Sequence, residues 1–269
     1  MAMTDDELRE LADLNYAEAT REMTRRSGGA VLDEGGVMLV AGAHALPVLI
    51  NGAMRIDPRV APDEVLARAR RFFAPRRRGF SVVLRAHVDG DLESACTAAG
   101  LAAFGAAPGM VLTRRLADAV PPPGVRLRRV ATAADAAAYA AVMDEAYQSL
   151  GMPAGVAVVQ IGQLPALAAP HIVAVLAEID GVPAAGALTI VTHGVAGVYW
   201  VGTIAAARGR GLAELCTRAA GNAGFDLGAR IAALQASPMG EPVYRRMGYI
   251  EVTRYPTLVH VEPPPTPGA

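Results

Sequence analysis

Between residues 125 and 130 apolar side chains alternate with arginine, the pattern of a strand buried on one face. Thr132-Ala133-Ala134-Asp135 follows with capping-box spacing and opens a helix running to about Ser149. Residues 154–168 read as loose helix or loop. Apolar runs at 171–179, 183–192 and 195–203 are divided by Asp180-Gly181 and His193-Gly194. Two hairpin connections in a row pair these strands antiparallel. A long helix is predicted over 208–226, a short apolar strand over 231–236, a helix over 241–247 and a strand from Tyr249. Earlier in the chain the pattern predicts a helix near 5–25, strands at 36–41 and 46–51, and a helix at 62–73. A strand at 80–86, a helix at 91–99 and a strand at 110–115 complete that half. This mixture makes an α+β fold with a mixed sheet.

Ala119-Val120-Pro121-Pro122-Pro123-Gly124 interrupts the pattern as a stiff spacer. It separates a domain at 1–118 from one at 125–261, and the Pro-rich end, 262–269, is expected to be a disordered tail. One segment recurs across the spacer. Leu84-Arg85-Ala86, a helix, then Ala99-Gly100-Leu101 parallels Leu234-Gln235-Ala236, a helix, then Met247-Gly248-Tyr249. Pro62 precedes Gly100 by 38 residues and Gly211 precedes Gly248 by 37. The reading is two copies of one fold, the first diverged.

Composition narrows the chemistry. The 269 residues include 25 Arg and no Lys, which excludes a Schiff-base lysine and a Walker-type phosphate loop. With 55 Ala in the chain, compositional bias is the simpler cause. The 1–118 segment has 15 Arg against 16 acids and the remainder 10 against 10, so neither offers the basic face that nucleic acid needs. Six arginines between 68 and 78 read as cations at a helix C-terminus rather than as a patch for an acidic partner. Cys96 and Cys216 lie 120 residues apart and the five histidines are scattered, so no disulfide framework or metal site is expected. The acidic N-terminus has no apolar signal core. Residues 181–207 carry no Asp, Glu or Arg but are broken by Pro183 and His193-Gly194, which suits buried strands rather than a membrane span. A soluble, cytoplasmic protein without a membrane partner is expected.

The chemical signal lies where the strand ending Trp200-Val201-Gly202-Thr203 passes through Arg208-Gly209-Arg210-Gly211 into a helix. Glycines let the backbone approach an anion, and a helix start offers unpaired N–H groups and the positive dipole end. A pyrophosphate suits such a loop. A dinucleotide fingerprint does not fit, because Glu214 stands where its third small residue belongs and the strand sits in an antiparallel meander. No Gly-x-Ser-x-Gly elbow occurs.

Arg208-x-x-Gly211-x-Ala213 resembles the Gln/Arg-x-x-Gly-x-Gly/Ala loop of the GNAT (GCN5-related N-acetyltransferase) superfamily. Downstream, residues 235–249 with Tyr244-x-x-x-Gly248-Tyr249 resemble that family's closing strand and tyrosine helix. The likeness covers roughly 125–260, and the whole chain resembles tandem GNAT proteins with a degenerate N-terminal copy. It implies two GNAT-like domains and acetyl-CoA as donor. The backbone of Arg208, Gly209, Arg210, Gly211, Leu212 and Ala213 would hold the pyrophosphate. Val201, Gly202 and Thr203 would pair with the pantetheine arm, an N–H there stabilising the oxyanion, and Ser237 would complete the donor site. Tyr244 would protonate the departing thiolate.

The implied acceptor is a small-molecule primary amine; a peptide or protein amine, and a non-catalytic CoA sensor or scaffold, stay open, as does monomer against homodimer. Many family members carry a Glu on the strand before the loop, but 195–203 has no carboxylate. The base is left among His193, Glu178, Asp144, Glu145 and a water chain. Tyr199 and Trp200 alternate, so one is expected to face the core and the other the acceptor cleft. Cys216 reads as core. The first copy has Asp63 and Glu64 in place of a glycine loop and Cys96 at the position of Tyr244, so it is expected not to bind CoA.

Overall fold

The computed structural model describes residues 3–261; the expected tail at 262–269 lies outside them. Helix α1 (Asp5–Arg26) starts where Thr4 and Glu7 cap each other, with Thr4 N–H donating to Glu7 at 2.7 Å. It is followed by β1 (Ala30–Glu34), β2 (Val37–Ala41), β3 (Asn51–Arg55), α2 (Pro62–Phe73), β4 (Phe80–Val83), α3 (Gly90–Ala98) and β5 (Ala102–Leu112). After the Pro-rich spacer come β6 (Val125–Arg129), α4 (Ala133–Gln148), the short α5 (Val156–Ile161) and α6 (Leu164–Leu167), then β7 (Ile172–Ile179), β8 (Val182–Thr192) and β9 (Val195–Thr203). The chain closes with α7 (Leu212–Asp226), β10 (Ile231–Gln235), α8 (Glu241–Met247) and β11 (Ile250–His260). Thr132 and Asp135 form the capping box that their spacing predicts.

Three expectations need correction. The strand placed at 46–51 is a turn: the Asn51 amide donates to His44 O at 2.8 Å and Leu46 O at 2.7 Å, holding the bend around Pro47, and β3 begins only at Asn51. The strand placed at 110–115 begins eight residues earlier, at Ala102, because cross-strand pairing to β11 overrides the lack of alternation in its Ala/Gly-rich start. The helix placed at 208–226 begins at Leu212, since Gly209 and Gly211 have φ of +76° and +74° and cannot be helical. Strand β1 has only intermediate and exposed positions, so no burial pattern marked it.

All eleven strands form one mixed sheet in the order β1-β2-β3-β4-β11-β5-β10-β9-β8-β7-β6. The two halves repeat one plan, since β3 runs parallel to β4 as β9 runs parallel to β10. Their closing strands are exchanged: β11 lies between β4 and β5 of the first half, and β5 lies against β10 of the second. Neither sheet is therefore complete without the other half. Helix α7 covers one face of the second half over a core including Val198, Leu212, Cys216 and Leu234; α4 covers the other face around Tyr139, Met143 and Leu188. Helix α1 reaches across the junction, where Asn15 accepts from Tyr199 Oη at 2.6 Å and donates to Val195 O. Three of the six arginines at 68–78 are tied to the backbone, Arg68, Arg76 and Arg78 donating to the carbonyls of Glu34, Phe72 and Gly42.

Candidate functional site

Strands β9 and β10 pair only over 195–197 with 231–233 and then part. The loop 204–211 leaves β9 at this opening. None of the N–H groups from Gly209 to Glu214 donates to a described backbone carbonyl, and the first bond of α7 runs from Leu215 N to Gly211 O at 3.0 Å. A Cβ on Gly209 or Gly211 would meet nothing within 4 Å, so the space beside these amides is open. Their glycines are required by positive φ rather than by crowding. Free amides at the start of a 15-residue helix suit an anion. Arg210 is exposed and makes no ion pair among the described residues, which leaves its guanidinium available there. Arg208 stands apart from the amide set expected of 208–213, its N–H donating to Ala205 O at 3.4 Å. Its side chain turns to the end of α4, donating to Ser149 Oγ at 2.6 Å and Ala146 O at 3.5 Å. Glu214 is drawn away from the loop by Arg218, at 2.7 Å.

The end of β9 is bulged. Leu188 pairs with Tyr199 and Gly186 with Gly202, so Trp200 and Val201 together oppose Ala187. Trp200 has φ +47°, a costly conformation for a tryptophan, and Tyr139 Oη holds its carbonyl at 2.7 Å. The bulge breaks the alternation expected of Tyr199 and Trp200, and both pack on the same core under α4. Gly202 is needed for that packing, since a Cβ would sit 2.8 Å from Ala146 Cβ. Thr203 ends the strand with a buried hydroxyl that no described residue pairs with.

Across the opening, α8 carries Tyr244 inward against Tyr249, with ring centroids 6.0 Å apart. Burial pushes the Tyr244 phenol up to about 12, with the Thr217 hydroxyl pulling weakly the other way. It is thus un-ionised at ordinary pH. Ser237, at the end of β10, accepts from Gly240 N at 3.1 Å and steadies the turn into α8. Cys216 is buried in the core, its thiol pushed up to about 12 by desolvation.

The four side chains considered as bases are engaged elsewhere or exposed. Asp144 caps α5, accepting from Gly155 N at 2.9 Å and Ala157 N at 3.1 Å. Glu178 is held between Arg128 at 2.7 Å and Arg126 at 3.2 Å, chiefly Arg128 lowering its pKa. His193 sits in the β8–β9 turn, at the opposite end of β9 from Thr203, and Glu145 is exposed. Residue reading missed Tyr139 and Tyr147, which line the bulge from α4. Their spacing with Ala136, Ala140 and Met143 marked a buried helix face but not what it covers.

The corresponding opening in the first half is closed. Where β3 and β4 part, the buried Arg55 guanidinium crosses to Asp89 at 2.9 Å and Asp91 at 2.5 Å, and Asp89 also holds Arg85 at 3.0 Å. The chain entering α2 has Asp63 and Glu64 in its first turn, with no glycine loop.

No protein-family model and no curated protein matches the sequence. Solved structures match the fold. A GCN5-related N-acetyltransferase from Kribbella flavida shares 24% identity at a TM-score of 0.68, over 94% of this chain and 96% of that one. A GCN5-related N-acetyltransferase from Sphaerobacter thermophilus shares 17% at 0.61, over 87% and 83%. A tandem GNAT protein from the clavulanic acid biosynthesis pathway shares 18% at 0.59, over 99% and 98%. The chain has the fold of the tandem GNAT proteins, two GNAT-like halves in one mixed sheet.

Proposed function

We propose that this chain is an acyl-CoA-dependent N-acyltransferase that moves acetyl from acetyl-CoA to the primary amine of a small molecule. One observation carries the reading: free amides at 209–214 and a buried, neutral Tyr244 flank the same parting of β9 and β10. The loop fits the pyrophosphate of CoA, since its amides are unpaired, the space beside its glycines is open and Arg210 is unengaged. The orphaned Thr203 hydroxyl at the strand end fits an amide-bearing arm lying along β9.

The donor supplies a thioester carbon open to attack. The amine nitrogen forms the C–N bond, the C–S bond breaks, and Tyr244 Oη gives its proton to the leaving sulfur while the amine proton passes to solvent, which returns one to Tyr244. The second reading is a non-catalytic CoA sensor, favoured by one observation: none of Asp144, Glu145, Glu178 and His193 is placed at the bulge as a base. Thiol release from acetyl-CoA with a panel of primary amines separates the two. Turnover is expected, and Tyr244→Phe should lower it ~10²–10⁴-fold with donor affinity kept. Tight CoA binding without turnover across the panel would establish the sensor.

A further inference from the structure

Just past the end of β4, side chains from both halves meet in one hydrogen-bonded line. Tyr255 Oη donates to Asp13 Oδ1 at 2.8 Å, Asp13 Oδ2 lies 3.2 Å from His87 Nε2, and His87 Nδ1 lies 2.7 Å from Thr253 Oγ1. Asp13 comes from α1 and His87 from the turn after β4. Thr253 and Tyr255 come from β11, so the exchange of closing strands builds the line. These two residues share one face of their strand. Gly109 makes room for both: a Cβ there would sit 2.8 Å from the Thr253 methyl and 2.6 Å from the Tyr255 ring. The methyl is thus seated over Gly109 while the hydroxyl turns to the imidazole. Just before it the strand is bulged, Val252 being left out between the pairs Glu251–Met110 and Thr253–Gly109.

The partners fix the proton positions. Burial raises the Asp13 carboxyl, and Tyr255, His87 and Arg85 oppose that shift. As a carboxylate Asp13 only accepts, so Nε2 carries the proton of a neutral His87 and Nδ1 is left to accept. The Thr253 hydroxyl therefore donates to Nδ1; the Arg254 carbonyl, its other neighbour, is farther off at 3.4 Å. The acid is sealed and the base is reachable, their side chains being 10% and 28% exposed. His87 and Thr253 line a cleft of about 400 Å³ together with Arg9 and Arg254. Arg9 is held there by its Nε, which donates to Val252 O at 2.8 Å.

We propose that Thr253, His87 and Asp13 act as nucleophile, base and orienting acid, and that this cleft hydrolyses small carboxylic esters. A hydroxyl, an imidazole and a buried carboxylate in this order are recognised by geometry, whatever their order in the chain. Thr253 Oγ attacks the ester carbon and its proton passes to His87 Nδ1. The guanidinium groups of the cleft offset the charge on the carbonyl oxygen. The C–O bond to the alcohol breaks, and the alcohol leaves with the proton from His87. A water then gives one proton to His87 and its oxygen to the acyl carbon. Thr253 takes that proton back as the carboxylic acid departs. Asp13 stays ionised throughout and holds the imidazolium. None of these groups belongs to the loop at 209–214 or to α8, so the activity is independent of the acyltransferase reading.

A fluorophosphonate tests this on the full chain, since an activated hydroxyl displaces its fluoride and keeps the phosphonyl group. Peptide mass spectrometry should find the adduct on Thr253, and the unlabelled protein should hydrolyse p-nitrophenyl acetate. His87→Gln should slow labelling ~10²–10⁴-fold, the worth of a general base. Thr253→Val should remove the adduct, whereas Thr253→Ser, which keeps the hydroxyl, should still be labelled. Urea unfolding identifies the variants that remain folded. Wild-type protein without an adduct on Thr253 overturns the proposal, as does a labelling rate that a folded His87→Gln leaves unchanged.

Discussion

Arg55 reaches from the end of β3 to Asp89 at 2.9 Å, and their side chains are 1% and 0% exposed. The pair bridges the gap at which β3 and β4 part, where the second half leaves the matching gap between β9 and β10 open. Two copies of one plan thus differ at the place where chemistry would occur. In the first, a charge-compensated cluster occupies the place that stays open in the second.

Truncating the bridge should be costly. Arg55→Met leaves Asp89 with Arg85 as its remaining close cation and strips Asp91 of its partner. Breaking a buried pair from one side costs about 3–5 kcal/mol. Urea unfolding should show a loss of that size, and calorimetry should show CoA binding at one site per chain both before and after the change. Binding to a second site in wild type would contradict the closed first half.

The exchanged strands bind the halves together. Separately produced segments 1–118 and 119–269 each lack the strand that completes their sheet, leaving the edges of β4 and β10 unpaired. Alone, each should be insoluble or poorly structured by circular dichroism. Coexpressed, they should copurify as a 1:1 complex, because the spacer contributes connectivity rather than the interface. A stable, monodisperse 1–118 fragment would count against this.

Gly211 should separate folding from ligand binding. At φ +74° an alanine costs about 1–2 kcal/mol, although its Cβ would meet no protein atom. The same methyl would enter the space beside the free amides. Gly211→Ala is expected to lower stability by that amount in urea and to weaken CoA binding roughly 10–100-fold, the equivalent of one charge-assisted hydrogen bond. Weakened stability with unchanged CoA affinity would move the anion site elsewhere.

Alkaline pH should unfold the protein cooperatively. All seven tyrosines, at 16, 139, 147, 199, 244, 249 and 255, are pushed up by burial. The folded chain therefore keeps phenolic protons that the unfolded chain releases near pH 10, so stability is intact below that value and falls above it. Each tyrosine removes about 1.4 kcal/mol per pH unit between its unfolded and folded pKa. Seven together would exhaust a stability of about 5–15 kcal/mol within a unit or two. With no lysine in the chain, tyrosinate absorbance should rise in one step together with loss of circular dichroism. A gradual rise near pH 10 with structure retained would show exposed phenols.

Much of this arrangement was legible in residue order. Hairpin turns at Asp180-Gly181 and His193-Gly194, the capping box at Thr132 and the Arg208–Ala213 loop are local events, decided by φ preferences and by hydrogen bonds a few residues apart. The spacing of Gly211 and Gly248 against that of Pro62 and Gly100 revealed two copies. Tertiary structure alone decided the exchange of β5 and β11, since either half's closing strand could satisfy either sheet edge and only long-range packing selects. It alone turned Arg208 toward α4, assigned Asp144 to a helix start and brought Tyr147 to the bulge. Arg208 and Ser149, for instance, lie 59 residues apart, beyond the reach of local preference. The missing lysine, by contrast, was legible from the start: it leaves backbone amides and arginine as this chain's groups for any phosphate, and the loop at 209–214 carries amides with no described backbone partner.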